Sequence, residues 1–413
     1  MVSNLNAMNE VISDIGRPYL RWALTDGVGP ILFTRLLRHF GDAEAALGAS
    51  ATQLEHVHGI GRATSDSIAR GRDAVTVETE IQAAAAHGVR IVCRADPEYP
   101  PGLRQIPDAP IVLYIKGEYR ETDAVALAIV GTRRCSIYGS EQARRFGELL
   151  AGAGFTIVSG LTRGIDAFAH HGAVDAGGRS VAVLGNGLTE IYPPENRALA
   201  EKLLQNGAWA SELPMQAAVR AENFPSRNRI IAGMTLGTLV IEAPQRSGAL
   251  ITARLANDYN REVFAIPGRL QEPAAEGTNA LIRDGIAKLV TNLDDLLNEL
   301  GDVGARMRAE VAADGPSAAP TRGREAAGPA LDAQRPLPDG RGSECAAAPA
   351  ARSLSAAEER VYAVLGYDAV LQDVVLRAAE LPPGEVLAAL TTLELKGLVK
   401  RLPGNLVVRR GTV

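Results

Sequence analysis

Short apolar runs, each stopped by Gly, Ser or Pro within a residue or two, alternate with helical patterns through the middle of the chain. VALAIVG (125–131), TIVSG (156–160), SVAVLG (180–185), WASEL (209–213), TLVIEA (238–243) and EVFAIPG (262–268) show no sustained polar face. Strands covered on both sides have that character, and helices between them make βαβ units around a parallel sheet. Residues 124–292 therefore read as an α/β domain. Two more strand-like runs, at 89–93 and 111–116, flank the turn sequence DPEYPPGL and are expected to hold one edge of it.

The flanks have other rhythms. Residues 18–75 look all-helical, with Asp26-Gly27-Val28-Gly29-Pro30 and His58-Gly59-Ile60-Gly61-Arg62 as two Gly-hydrophobic-Gly hairpins between helices. Hairpins of this kind present backbone amides to DNA phosphate, although plain helix pairing accounts for them equally well. Residues 303–352 are rich in Ala, Pro, Gly and Arg and read as a disordered linker. Beyond it, helical patterns at 355–366, 371–379 and 385–396 precede a hairpin turning at Pro403-Gly404-Asn405, the order of a winged helix. Its third helix has few cations, which favours a protein contact over the major groove. The expected division is 1–88 helical, 89–302 α/β, 303–352 linker and 353–413 winged-helix-like.

Open α/β sheets bind ligands beyond the carboxyl ends of their strands, so the loops there carry the functional information. Gly131-Thr132-Arg133-Arg134-Cys135-Ser136-Ile137-Tyr138-Gly139 follows the first strand and opens a helix. Backbone amides at a helix start, with a forked guanidinium beside them, form a ready anion site; a solvated arginine on a turn is the bland alternative. Ser159-Gly160-Leu161-Thr162-Arg163-Gly164-Ile165-Asp166 repeats the arrangement, with Asp166 read as a structural cap and His170 and His171 as packing or surface residues. Asn186 and Arg197 lie after the third strand. In Phe224-Pro225-Ser226-Arg227-Asn228-Arg229, Ser226 reads as an N-cap, which puts Arg227 and Arg229 in the first helical turn. Cations there oppose the helix dipole unless an anion offsets them. Ser247-Gly248 opens another helix. Arg133, Arg163, Arg197, Arg227, Arg229 and Arg246 all map to one edge of the sheet.

Composition sharpens this picture. At 413 residues the chain holds two or three domains, and its formal net charge of −5 confines any nucleic-acid surface to a local cleft. The three cysteines match no metal spacing, and the His56/His58 pair has no neighbouring ligands, so neither a metal nor a cofactor is expected. No apolar run is long enough to span a membrane, and the first residues lack the features of a signal peptide, so a cytoplasmic protein is expected.

GTRRCSIYG, SGLTRGIDAFAHHGAV, FPSRNRIIAGM, APQRSGALITARLA and VFAIPG, in this order, resemble the DNA-processing protein A (DprA/Smf) family across essentially all of 124–292. The resemblance implies an extended Rossmann-like domain, an N-terminal helix-hairpin-helix or SAM-like domain and a C-terminal winged helix. It further implies single-stranded DNA binding during natural transformation, delivery of the RecA recombinase to that DNA, and a homodimer. Carried over by motif, the DNA pocket takes Gly131, Arg133, Ser136, Ser159, Gly160, Arg163, Gly164, Arg227, Asn228 and Arg229. Loop position adds Thr132, Tyr138, Gly139, Asn186, Arg197, Phe224, Ser247 and Gly248, with Phe224 or Tyr138 as a base-stacking ring. The family often has Ser at position 132 and Ala at position 163, so Arg163 adds a charge.

The rival reading is a nucleotide-processing hydrolase related to Rossmann-like phosphoribohydrolases. Their Pro-Gly-Gly-x-Gly-Thr-x-x-Glu signature is absent, and GTRRCSIYG is not a dinucleotide fingerprint. No catalytic residues are assigned. Glu212 and Glu242, which follow strands, are the carboxylates through which such a reading would have to act.

Overall fold

The computed structural model describes residues 11–313, 354–365, 370–379, 381–396, 398–402 and 406–409. These divide into two compact units, Met1–Gly315 and Pro316–Val413.

The first unit is built on a nine-stranded sheet in the order β1-β2-β6-β5-β4-β3-β7-β8-β9. Its strands are β1 (Val89–Cys93), β2 (Val112–Gly117), β3 (Ala126–Val130), β4 (Thr156–Ser159), β5 (Ser180–Val183), β6 (Gly207–Ser211), β7 (Gly237–Val240), β8 (Glu262–Ala265) and β9 (Lys288–Leu289). From β6 through β9 every pairing is parallel. The β1–β2 hairpin joins antiparallel, β2 running against β6, so the two early strands extend the sheet.

Period-two side-chain alternation lets one strand serve both faces. In β3, Leu127 and Ile129 enter one apolar cluster, while Ala126, Ala128 and Val130 enter the other. Around the sheet lie α7 (Pro101–Arg104), α8 (Ile137–Gly152), α9 (Ile165–Asp175), α10 (Arg197–Leu203), α11 (Asn223–Met234), α12 (Gly248–Asp258), α13 (Glu276–Arg283), α14 (Leu293–Glu299) and α15 (Gly301–Ala313). Helices α8 and α9 pack backbone to backbone where Gly147 meets Ala169 and Gly172 meets Arg144, because neither glycine carries a Cβ to hold them apart.

The N-terminal helices are α1 (Gly16–Ala23), α2 (Pro30–Phe40), α3 (Ala43–Gly48), α4 (Ala51–Leu54), α5 (Arg62–Ala74) and α6 (Val77–Ala86). Helices α2 and α5 start from Gly29 and Gly61, the last glycines of the two hairpins. Their apolar residues share one core cluster with Ile91, Val112, Tyr114 and Trp209 of the sheet.

The expected linker begins too early. Residues 303–313 belong to α15, because Ala, Arg, Met and Glu are strong helix formers and Met307 finds a buried place against the sheet. The rest of that expected linker, through 352, lies outside the described residues.

The second unit holds α16 (Ala356–Val364), α17 (Gln372–Ala378) and α18 (Pro383–Leu395) with a three-stranded sheet, β10 (Val370–Leu371), β12 (Leu406–Arg409) and β11 (Val399–Leu402) in that order. This is a winged helix. The turn at 403–405 lies outside the described residues. No helix among the described residues is long and apolar enough to cross a membrane.

Candidate functional site

From β3 the chain runs through β4 and β5 to β6 on one side, then returns to lay β7 and β8 on the other. Connections leaving β3 and β7 therefore diverge, and a crevice opens at the carboxyl ends of these adjacent strands. It forms a cavity of about 530 Å³, within the roughly 300–1,000 Å³ of small-molecule sites.

The β3–α8 loop supplies Gly131, Thr132, Arg133 and Arg134, the β4–α9 loop supplies Thr162, and the first turn of α9 supplies Asp166. Helix α11 brings Phe224, Arg227 and Asn228, and the segment into α12 brings Arg246, Ser247 and Gly248. Ser247 caps α12, its hydroxyl accepting from Ala249 N at 3.3 Å. Ser247, Gly248 and Ala249 at that helix start line the crevice together with Arg133, Arg134 and Arg246, and the three arginines are exposed.

Arg227 occupies the floor. It is buried, its Nη1 donates to Val183 O at 2.6 Å, and its Nε has no hydrogen-bond partner among the described residues. Burial lowers its pKa to about 10, with Asp166 opposing and Arg133 adding to the fall. The guanidinium remains charged at neutral pH, and the neighbouring Asp166 offsets part of the desolvation cost of that charge. Asp166 is also buried, which raises its pKa against the pull of Arg227. Thr162 donates to its Oδ2 at 2.8 Å, fixing the loop between β4 and α9. Above the floor, the Arg133 guanidinium lies 4.8 Å from the Phe224 ring centre, and Tyr192 packs against the same ring at 6.0 Å.

Several residues assigned to this edge by sequence serve elsewhere. Helix α11 begins at Asn223, before Ser226, so Arg227 and Arg229 sit in its second turn and the dipole argument for them fails. Ser226 does not cap the helix; its hydroxyl donates back to Asn223 O. Successive positions around a helix diverge by about 100°, and Arg229 consequently leaves the crevice. It pairs with Glu212, Nη2 to Oε1 at 2.6 Å, and donates to Asp108 O at 2.6 Å. Arg163 pairs with Glu195 at the surface. Arg197 is exposed at the start of α10, and Tyr138 is exposed in the first turn of α8; neither lines the cavity.

Ser136 caps α8 and hydrogen bonds Glu242 through both its amide and its hydroxyl. Gly139 is what lets the Glu242 carboxylate approach α8, since a Cβ there would overlap it. Ser159 donates to Ile129 O at 2.6 Å, and Asn186 donates to Gly187 O and Glu190 O. Gly160 and Gly164 back the site rather than line it: the first clears space for Arg227, and the second, at φ +74°, abuts Thr132 O. Asn228 lines the cavity and donates to Gly248 O at 3.3 Å. Arg134 lines it too, and its adjacency to Arg133 in the same loop is the sequence signal that marks it.

A family model described as DNA recombination-mediator protein A matches residues 90–301. The chain belongs to the DNA-processing protein A (DprA/Smf) family. A DprA-like N-terminal HHH domain matches 17–70, and a DprA winged helix domain matches 346–405. Protein Smf of Synechocystis is 40% identical over 289 residues, 69% of this chain and 72% of that one. Protein Smf of Escherichia coli is 49% identical over 208 residues, 50% of this chain and 55% of that one. The X-ray structure of DNA processing protein A from Streptococcus pneumoniae superposes with a TM-score of 0.59 at 31% identity, over 68% of this chain and 95% of the other.

Proposed function

We propose that the crevice binds the sugar–phosphate backbone of single-stranded DNA, and that the chain acts without catalysis as a cytoplasmic recombination mediator in natural transformation. The observation that carries this reading is Arg227, a buried cation at the floor of a cleft rimmed by Arg133, Arg134, Arg246 and the start of α12 at Ser247–Gly248. Phosphate on the rim meets the guanidiniums of Arg133, Arg134 and Arg246, each charge-assisted bond contributing about 1.5–3 kcal/mol. Backbone contacts carry little sequence information. Delivery of RecA and a homodimer belong to the same reading and rest on the family resemblance.

The hydrolase alternative would act through Glu212 or Glu242. Glu242 is committed to Ser136 and Glu212 to Arg229. Neither lines the cavity.

Fluorescence anisotropy with a labelled oligonucleotide across a salt series tests the reading. Three neutralised phosphates give a log–log slope near roughly −2 for a single strand, and Arg246→Ala makes it shallower by about 0.7. A salt-independent affinity, or release of free base from nucleoside monophosphates that Glu242→Gln abolishes, overturns it.

A further inference from the structure

The floor of the crevice sets the Asp166 carboxylate beside Arg227 beneath a basic rim, and phosphate chemistry alone does not account for that carboxylate. Asp166 is the carboxylate among the cavity's lining residues, and it lies beside Arg227 with 6% of its surface exposed. A carboxylate repels phosphate, so the phosphates belong at the rim with Arg133, Arg134, Arg246 and the start of α12. The floor suits a neutral, donor-rich group. Val130 and Ile231 supply apolar walls there, as a planar ring requires.

We propose that this floor takes a guanine base turned in from the bound strand, with Asp166 accepting from its Watson–Crick edge and Arg227 donating to O6. The inference rests on the crevice being the single-stranded DNA site. Guanine presents one acceptor, O6, next to two adjacent donors, the N1 and N2 hydrogens. Arg227 brings a cavity-lining guanidinium anchored through Nη1 on Val183 O, and Asp166 a carboxylate already held in place by Thr162. The match is three-point. Adenine and cytosine each offer one exocyclic amino group beside one ring acceptor, which satisfies the pair at two points. Thymine offers a single donor between two carbonyls, one of which faces the carboxylate. Enzymes and binding proteins that receive a turned-out base read this same edge.

Arg227 thus has two functions, as counter-charge to the rim phosphates and as donor at the base. One such position adds discrimination to an otherwise sequence-tolerant backbone grip. Bidentate base contacts discriminate by roughly tenfold or more.

The test is anisotropy with the full chain and a fluorescent oligothymidylate carrying one central dG, inosine, dA or dC. The dG strand is expected to bind about tenfold more tightly than the all-dT strand. Inosine, which lacks the N2 amino group, loses most of that gain with the protein unaltered, so the result does not depend on a variant folding. Asp166→Asn brings the ratio of dG to dT affinities close to one. Guanosine monophosphate displaces the dG strand at lower concentration than thymidine monophosphate; equal displacement by the two counts against the proposal. Equal affinity for all four substituted strands overturns the base assignment and leaves the cleft reading standing. Failure to bind any of them overturns both.

Discussion

The guanidinium of Arg227 lies in the space that a side chain on Gly160 would fill: a Cβ built at position 160 overlaps Nη1, Cζ and Nη2 of Arg227. The two residues come from different elements, the end of β4 and the second turn of α11, and the absence of one side chain is the condition for placing the other.

Gly160→Ala is therefore expected to act as an Arg227 mutation. The methyl group displaces the guanidinium from Val183 O, and single-stranded DNA affinity falls about as far as in Arg227→Ala, on the order of 10-fold to 100-fold for one charge-assisted contact. Circular dichroism melts run beside the titrations separate this loss from unfolding. A Gly160→Ala protein with unchanged affinity would show that the position of Arg227 is immaterial.

Arg229 is expected to matter for stability and not for binding. Its partners Glu212 and Asp108 are themselves largely covered, and removing one member of such a cluster leaves charge without compensation, costing about 3–5 kcal/mol. Urea unfolding of Arg229→Ala checks the loss, and anisotropy at low temperature checks that the folded fraction still binds.

His170 predicts a pH dependence. Burial pushes its pKa down to about 3, with His171 and Arg227 adding to the fall, and Nδ1 is hydrogen bonded to Ser180 Oγ at 2.7 Å. The unfolded chain takes up a proton near pH 6.5 that the folded chain refuses. Stability is thus fully present above about pH 6.5 and is lost as pH falls toward 3, by about 2 kcal/mol between pH 6.5 and 5 from this group. His170→Gln removes that part of the slope in urea unfolding followed at both pH values.

The parallel sheet was legible because its strands are buried on both faces and so read as unbroken apolar runs, and the crevice was legible because loop glycines and arginines cluster where those runs stop. The start of α11 was not. Ser226 has the chemistry of a cap, yet the helix begins at Asn223, and a shift of three residues decides which arginine faces the crevice. Pairing across distant segments was likewise beyond reach: nothing local to Arg229 announces Glu212, and nothing local to Ser136 announces Glu242. Residues 303–313 were misread because a composition suited to a linker is also suited to a helix when one side chain, Met307, has a core to enter.

The central claim is that the crevice, and not the whole arginine-bearing edge, holds the DNA. The direct measurement compares Arg133→Ala/Arg246→Ala with Arg163→Ala/Arg197→Ala by anisotropy on one single-stranded oligonucleotide at fixed salt. The first pair lines the cavity and the second does not. A loss on the order of 100-fold or more is expected for the first pair and a change within about threefold for the second, whose exposed guanidiniums are screened by solvent and salt. Equal losses from the two pairs would contradict the central claim.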